Sequence, residues 1–204
     1  MEHYFINKQH SQEDYFEFTQ EFNGKTFSFK SCDSIFSKDR IDYGTGVLLN
    51  AVLKKQVSGK VLDIGCGYGA IGIILASFLT DIKVTMTDIN ETAVELSKHN
   101  VIKNHLKNVR EIFVSNGYEN ITESFDYIIT NPPIKAGKQN LLNILTGAYA
   151  HLNDNGKLYF VIKKKHGEDS IRKTLLTIFS NVEIIKRDSG YYILECVKWS
   201  WLQR

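Results

Sequence analysis

Val61-Leu62-Asp63-Ile64-Gly65-Cys66-Gly67-Tyr68-Gly69-Ala70-Ile71-Gly72 holds an apolar run, a glycine-punctuated turn and the start of a second apolar run. Residues 60–64 have the length of a buried strand, and 70–79 are long enough for a helix. The glycines between them let the chain turn tightly and let a ligand approach the backbone. Downstream, strands and helices go on alternating. Residues 83–88 read as a strand, 91–104 as a helix that Asn90 caps, and 109–114 and 125–130 as strands. A helix over 138–152 aligns Leu141, Leu145, Ala148 and Leu152; a strand follows over 157–162, then a helix over 167–179 aligning Ile171, Leu175 and Ile178. The last segments, 182–186 and 191–197, form a hairpin about Asp188-Ser189-Gly190. This predicts an α/β fold with a seven-stranded, mostly parallel, doubly wound sheet and a C-terminal antiparallel hairpin. Ligands of such sheets bind beyond the carboxyl ends of the strands, near the switch in strand order.

Upstream the pattern differs. Asn23-Gly24 lies between Tyr15-Phe16-Glu17-Phe18-Thr19 and Thr26-Phe27-Ser28-Phe29, whose alternation marks a β-hairpin. A polar loop follows, and Thr45 caps a helix expected over 46–56 with Leu48, Leu49, Val52 and Leu53. The expected organisation is a small hairpin appendage with its loop over 1–45 and an α/β domain over 46–204.

The 204 residues are 43% hydrophobic and 24% charged, with a formal net charge of +2, which suits a globular chain and excludes disorder. Cys32, Cys66 and Cys196 are odd in number and lack zinc-ligand spacing, so no disulfide framework or metal site is expected. The amino terminus lacks an apolar signal core and no run reaches membrane-spanning length, so a cytoplasmic protein is expected.

The glycine turn opens a helix whose amino terminus favours anionic groups. Gly65, Gly67 and Ala70 also fit a dinucleotide fingerprint, with Asp88 holding a ribose. Asp63 argues the other way, because a carboxylate beside the turn disfavours a pyrophosphate and suits an ammonium group. S-adenosyl-L-methionine carries an ammonium, a carboxylate and a ribose diol, and no phosphate. On this reading Asp63 faces the ammonium, Asp88 accepts from the ribose hydroxyls, and Asn116 contacts the adenine edge. The bland alternatives are that Asp63 satisfies backbone N–H groups and that Asp88 caps the next helix.

Asn131-Pro132-Pro133-Ile134 holds both prolines of the chain, directly after the strand 125–130. Proline locks φ and restricts the residue before it, so the segment is a stiff turn with fixed acceptor directions. The segment resembles the catalytic turn of methylases that act on planar nitrogens, and the resemblance implies methyl transfer to a planar amine, whose lone pair is delocalised. The Asn131 side-chain oxygen and the Pro132 carbonyl accept the amine hydrogens as charge develops, and orientation does the rest. No metal is required. Ile134 supplies an apolar wall, leaving Phe36 and Tyr43 as candidates to stack on a base. Lys163-Lys164-Lys165-His166 ends a strand on the same sheet edge, and Lys135 and Lys138 follow the proline turn. These lysines are expected to meet RNA phosphates, with a solvated strand end as the alternative; His166 is read as surface.

Asp63-x-Gly65-x-Gly67-x-Gly69, Asp88 and Asn131-Pro132-Pro133 together resemble the class I S-adenosylmethionine-dependent methyltransferases. Phe36-Ser37, then Asp42-x-Gly44-Thr45-x-x-Leu48-Leu49, Ser115-Asn116 and the final Ile134 narrow the resemblance to the small methyltransferase family. That family includes the RsmC-type 16S ribosomal RNA guanine-N2 enzymes, and the resemblance covers roughly residues 34–197. It implies cofactor-binding roles for Asp63, Gly65, Gly67, Gly69, Asp88, Asn116 and Thr45, and catalytic roles for Asn131, Pro132, Pro133 and Ile134. RsmC-type enzymes have two methyltransferase-like halves, whereas this chain has one half plus a hairpin. Its implied substrate is ribosomal RNA or a ribosomal subunit. The alternatives are a glutamine side-chain amide in a protein, a catalytically silent RNA-binding or assembly module, and, from another class, a nicotinamide-dependent oxidoreductase.

Overall fold

The computed structural model describes residues 15–35, 37, 39–133, 137–164 and 167–199. The chain begins with β1 (Tyr15–Phe22), β2 (Lys25–Cys32) and α1 (Tyr43–Val52). Then come β3 (Gly59–Ile64), α2 (Ala70–Phe78), β4 (Ile82–Asp88), α3 (Glu91–Lys103) and β5 (Val109–Val114). The remainder is β6 (Phe125–Thr130), α4 (Lys138–His151), β7 (Leu152–Lys163), α5 (Glu168–Leu175), β8 (Asn181–Asp188) and β9 (Tyr191–Val197).

Seven strands form one sheet in the order β5-β4-β3-β6-β7-β9-β8. Strands β3 to β7 are parallel to their neighbours, and β9 runs antiparallel between β7 and β8. The expected seven-stranded, mostly parallel sheet with an antiparallel C-terminal hairpin is what the chain forms. Side chains of successive strand residues point to opposite faces. Val61, Ile129, Tyr159, Val161 and Ile193 therefore join one apolar cluster with α1 and α2, and Leu62, Ile64, Ile128, Leu158 and Phe160 join another with α4 and α5. Burial on both faces is why these strands lack polar alternation. Strand order reverses between β3 and β6, which brings the glycine turn after β3 beside Asn131 after β6.

Two element readings are corrected. The first helix starts at Tyr43 rather than Gly46, and its cap is Asp42, whose side chain accepts from the Thr45 N–H at 3.2 Å. Thr45 thus lies in the first turn, and the helix ends at Val52 rather than Gln56. Strand β7 starts at Leu152 rather than Lys157, because Asn155 (φ 61°) and Gly156 form an irregularity within the strand instead of a loop before it.

Among the described residues β1 and β2 pair only with each other, around Asn23 (φ 47°) and Gly24 (φ 78°), the positive angles that a two-residue turn requires. Phe22, Phe27, Phe29 and Cys32 are buried in the same cluster as α2. Two asparagines one helical turn apart, Asn100 on α3 and Asn104 at its C-cap, latch β2. Asn100 accepts from Lys30 N–H (2.7 Å) and donates to Lys30 C=O (2.9 Å); Asn104 does the same at Ser28 (3.1 and 2.8 Å). These bonds satisfy an edge that would otherwise present unpaired backbone groups. Among the described residues, no helix is long and apolar enough to cross a membrane.

Candidate active site

A cavity of about 610 Å³ opens over the carboxyl ends of β3, β4, β5, β6 and β7. Its walls carry Gly65, Gly67, Asp88, Asn116, Asn131, Pro132, Pro133, Thr45 and Lys163 among the residues expected from sequence, and Asp42 and Tyr191 besides.

The glycine turn takes positive φ at Gly65 (74°), Gly67 (58°) and Gly69 (93°). A Cβ on Gly65 would meet nothing within 4 Å, so open space lies against this backbone for a ligand to fill. Asp88 clamps the turn: its Oδ2 accepts from Gly67 N–H at 2.8 Å and its Oδ1 from Asn90 N–H at 2.9 Å. Burial raises its carboxyl above the usual range, while these N–H groups pull it back down. Each oxygen keeps a lone pair for a further donor such as a diol. Asn90, also in the wall, is the cap of α3, its side chain accepting from Thr92 N–H at 2.9 Å. Asn116 is exposed and donates to Glu119 at 2.8 Å.

Asp63 and Gly69 do not reach the cavity wall. The Asp63 side chain is fully buried beneath the turn, where Oδ2 accepts from Gly72 N–H at 2.9 Å. Its Oδ1 has no hydrogen-bond partner among the described residues. Burial raises this carboxyl from 3.8 to about 7; the Gly72 bond opposes the rise and the Asp88 charge adds to it. Gly72 has to be glycine here, because a Cβ would lie 2.5 Å from the Met86 sulfur and 3.3 Å from the Asp63 Oδ2.

Across the cavity, the Asn131 side-chain N–H₂ donates to Thr45 Oγ1 at 2.9 Å and to Asp42 Oδ2 at 3.2 Å. A carboxylate can only accept, so this pair determines which way round the amide sits. Both amide hydrogens are then used. Asn131 Oδ1 is left as an acceptor without a protein partner among the described residues. Pro132 is buried and Pro133 half-buried behind it, which stiffens the turn.

Tyr68, Tyr118 and Tyr191 are aromatic residues of the wall, and Tyr191, at the start of β9, joins it because β9 runs antiparallel to β7 and its first residue lies at the end of β7 beside Lys163. Tyr43 does not line the cavity. It buttresses Tyr191, with ring centroids 5.6 Å apart and its hydroxyl donating to Asp188 at 2.8 Å. The Lys163 ammonium lies 4.7 Å from the Tyr191 ring centre. Of the other lysines, Lys138 donates to Ser170 at 3.3 Å and Lys164 is exposed, neither in the wall. Ile134, Lys135, Lys165, His166 and Phe36 lie outside the described residues. Sequence reading passed over Tyr191 as part of a hairpin. It quoted Asp42 only within a motif, although an Asp immediately before an apolar-periodic run is itself a helix-start signal.

Among the described residues, the wall holds Asp42, Asp88 and Glu119 against the single basic side chain of Lys163. Such a wall repels a diphosphate and suits a ligand with cationic groups. A family model described as the methyltransferase small domain matches residues 26–195. The chain belongs to the small methyltransferase family. As a member of this S-adenosylmethionine-dependent family it uses S-adenosyl-L-methionine as cofactor, and the residues present fit that group. The open space at Gly65, the spare lone pairs of Asp88 and the acidic wall are the observations that agree.

Other relatives bear on the finer reading. Over 199 residues, 97% of this chain and 98% of the relative, the small methyltransferase is 37% identical to the uncharacterized protein YbxB of Bacillus subtilis. It is 40% identical over 136 residues, 65% of its length, to the ribosomal RNA small subunit methyltransferase C of Erwinia tasmaniensis, but covers only 39% of that relative. Among solved structures, the T. thermophilus 16S rRNA N2 G1207 methyltransferase (RsmC), in complex with AdoMet and guanosine, superposes with a TM-score of 0.80 at 25% identity. That match covers 90% of this chain and 50% of the other.

Proposed function

We propose that this small methyltransferase methylates an exocyclic base amine of RNA, the N2 amine of guanine in ribosomal RNA. The observation that carries the reading is the fixed Asn131 amide. With both hydrogens held by Thr45 and Asp42, its oxygen is a prepaid acceptor in the cavity wall, at the strand-order switch. The relatives named for 16S ribosomal RNA methylation support the substrate class.

When bound, S-adenosyl-L-methionine supplies an electrophilic methyl group. Asp88 would hold the ribose hydroxyls, the Gly65–Gly69 backbone would admit the chain bearing the ammonium and carboxylate, and Asp63 would stabilise the loop from beneath. Asn116 would border the adenine, and Thr45 would act through Asn131 rather than on the cofactor. Asn131 Oδ1 and the Pro132 carbonyl accept hydrogen bonds from the amine, directing its lone pair along the line of attack and favouring the charge that develops on nitrogen. The amine becomes acidic as that charge grows, so its proton leaves to water without a strong base. Pro133 stiffens the turn that carries these acceptors. Tyr191 offers a face on which the base stacks, worth about 1–3 kcal/mol in single-stranded recognition. Lys163 and Lys164, with Lys135, Lys138 and Lys165, would meet phosphates at the rim.

The test is tritiated methyl transfer to ribosomal subunits, free RNA and protein extract from cells lacking this protein. Label in guanine N2 of ribosomal RNA is expected. Label only in protein would refute the base-amine reading. Asn131→Ala is expected to keep cofactor binding and to lose methyl transfer by about 100-fold or more; full activity would remove the turn from the chemistry.

A further inference from the structure

Asp42 has an oxygen to spare. Both N–H groups that reach this side chain, from the Thr45 backbone and from the Asn131 amide, go to Oδ2, each at 3.2 Å. Oδ1 receives no hydrogen bond among the described residues, and Asp42 lines the cavity. Capping a helix needs one acceptor, and serine, threonine or asparagine would serve as well. Anchoring the Asn131 amide also needs one acceptor. The second oxygen, with its charge, is unexplained by either role. Asp42 and Asn131 are joined by the 3.2 Å bond and both line the cavity, so the wall holds two bonded residues that each keep a spare acceptor.

We propose that Asp42 Oδ1 accepts the ring N–H next to the amine being methylated, and so makes guanine the base that this site takes. The inference rests on the base-amine reading above. Guanine is the standard base in which an exocyclic amine, at C2, adjoins a ring N–H, at N1. In adenine and cytosine the ring nitrogen next to the amine is an acceptor. A carboxylate facing that lone pair is repelled and loses its water without replacement, whereas facing N1–H it makes a charge-assisted bond. Asn131 and Asp42 thus read two adjacent donors on one edge. Tyr191 supplies a face beside that edge: Gly44, two residues after Asp42, has no room for a side chain, since a Cβ there would lie 2.7 Å from the Tyr191 ring.

The substitution Asp42→Asn separates this role from the structural ones. Its amide oxygen can still cap α1 and hold Asn131, while its N–H₂ turns a cavity acceptor into a donor. The probes are guanosine and 2-aminopurine riboside, which keeps the C2 amine but has a lone pair at N1. Binding is measured by calorimetry with S-adenosylhomocysteine present. The wild-type protein is expected to prefer guanosine roughly 10- to 100-fold. Asp42→Asn is expected to abolish or invert that preference, with S-adenosylhomocysteine affinity and melting temperature close to wild type. An unchanged preference in the variant overturns the proposal, and so does a wild-type protein that binds both ribosides alike or neither. The wild-type comparison stands alone should the variant fail to fold. Methyl label in an RNA base amine together with no guanosine preference removes only Asp42; label confined to protein removes both readings.

Discussion

Asp63→Asn should shift the stability of the ligand-free protein increasingly in the variant's favour as pH rises. The carboxyl is fully buried, and burial raises it from 3.8 to about 7. A carboxyl raised that far in the folded state binds a proton there that the unfolded chain has already lost. Folding is therefore unpenalised below the ordinary value, progressively penalised as pH rises through the window between 3.8 and about 7, and fully penalised above it. The complete penalty is roughly 4 kcal/mol. Between about pH 5 and about pH 8 the wild type should lose roughly 2–3 kcal/mol relative to a variant that cannot ionise there, or about 5–10 °C in melting temperature for a chain of this size. The new amide can still accept from Gly72 N–H, but its own N–H₂ is buried without a partner, which costs about 1–3 kcal/mol at every pH. The variant should accordingly be near neutral or destabilised at acid pH and gain ground steadily toward alkaline pH. Calorimetric melting of cofactor-free protein across that range is the assay. A gap between variant and wild type that does not change with pH would refute the argument.

Three further outcomes follow from named contacts. Asp88→Ala removes the acceptor of Gly67 N–H and should weaken cofactor binding by roughly 10- to 100-fold; an unchanged dissociation constant by calorimetry would dismiss Asp88 as a cofactor ligand. Gly72→Ala puts a methyl group 2.5 Å from the Met86 sulfur. It should cost about 1–3 kcal/mol, and a melting temperature equal to wild type would show that Met86 moves aside freely. Asn100→Leu strips the Lys30 backbone and the Tyr68 C=O of their partners. It should lower stability by about 2–4 kcal/mol and speed amide exchange in β2, whereas native exchange there would mean that the apolar contacts hold the hairpin unaided.

Sequence alone determined the sheet, because strands buried on both faces must be continuously apolar and the helices between them must carry one apolar stripe. Val61 to Ile64 and Phe125 to Thr130 fit that pattern in strand-length runs bounded by turn residues, and the glycines after Ile64 mark a turn where a ligand can touch backbone. The proline turn was equally legible, since its stiffness is a property of the residues themselves. Tertiary structure decided what local chemistry cannot encode. Asp63 reads as a free carboxylate beside a turn, yet the pleat of β3 aims it at Gly72 under α2, away from the cavity. Thr45 and Asp42 lie 86 and 89 positions from Asn131, and only the sheet order brings them onto one amide. Tyr191 becomes a cavity wall solely because β9 inserts antiparallel beside β7. The physical reason is range: propensity and periodicity act over a few residues, whereas the orientation of one amide and the free oxygen of one carboxylate depend on hydrogen bonds that form only after the long loops have closed.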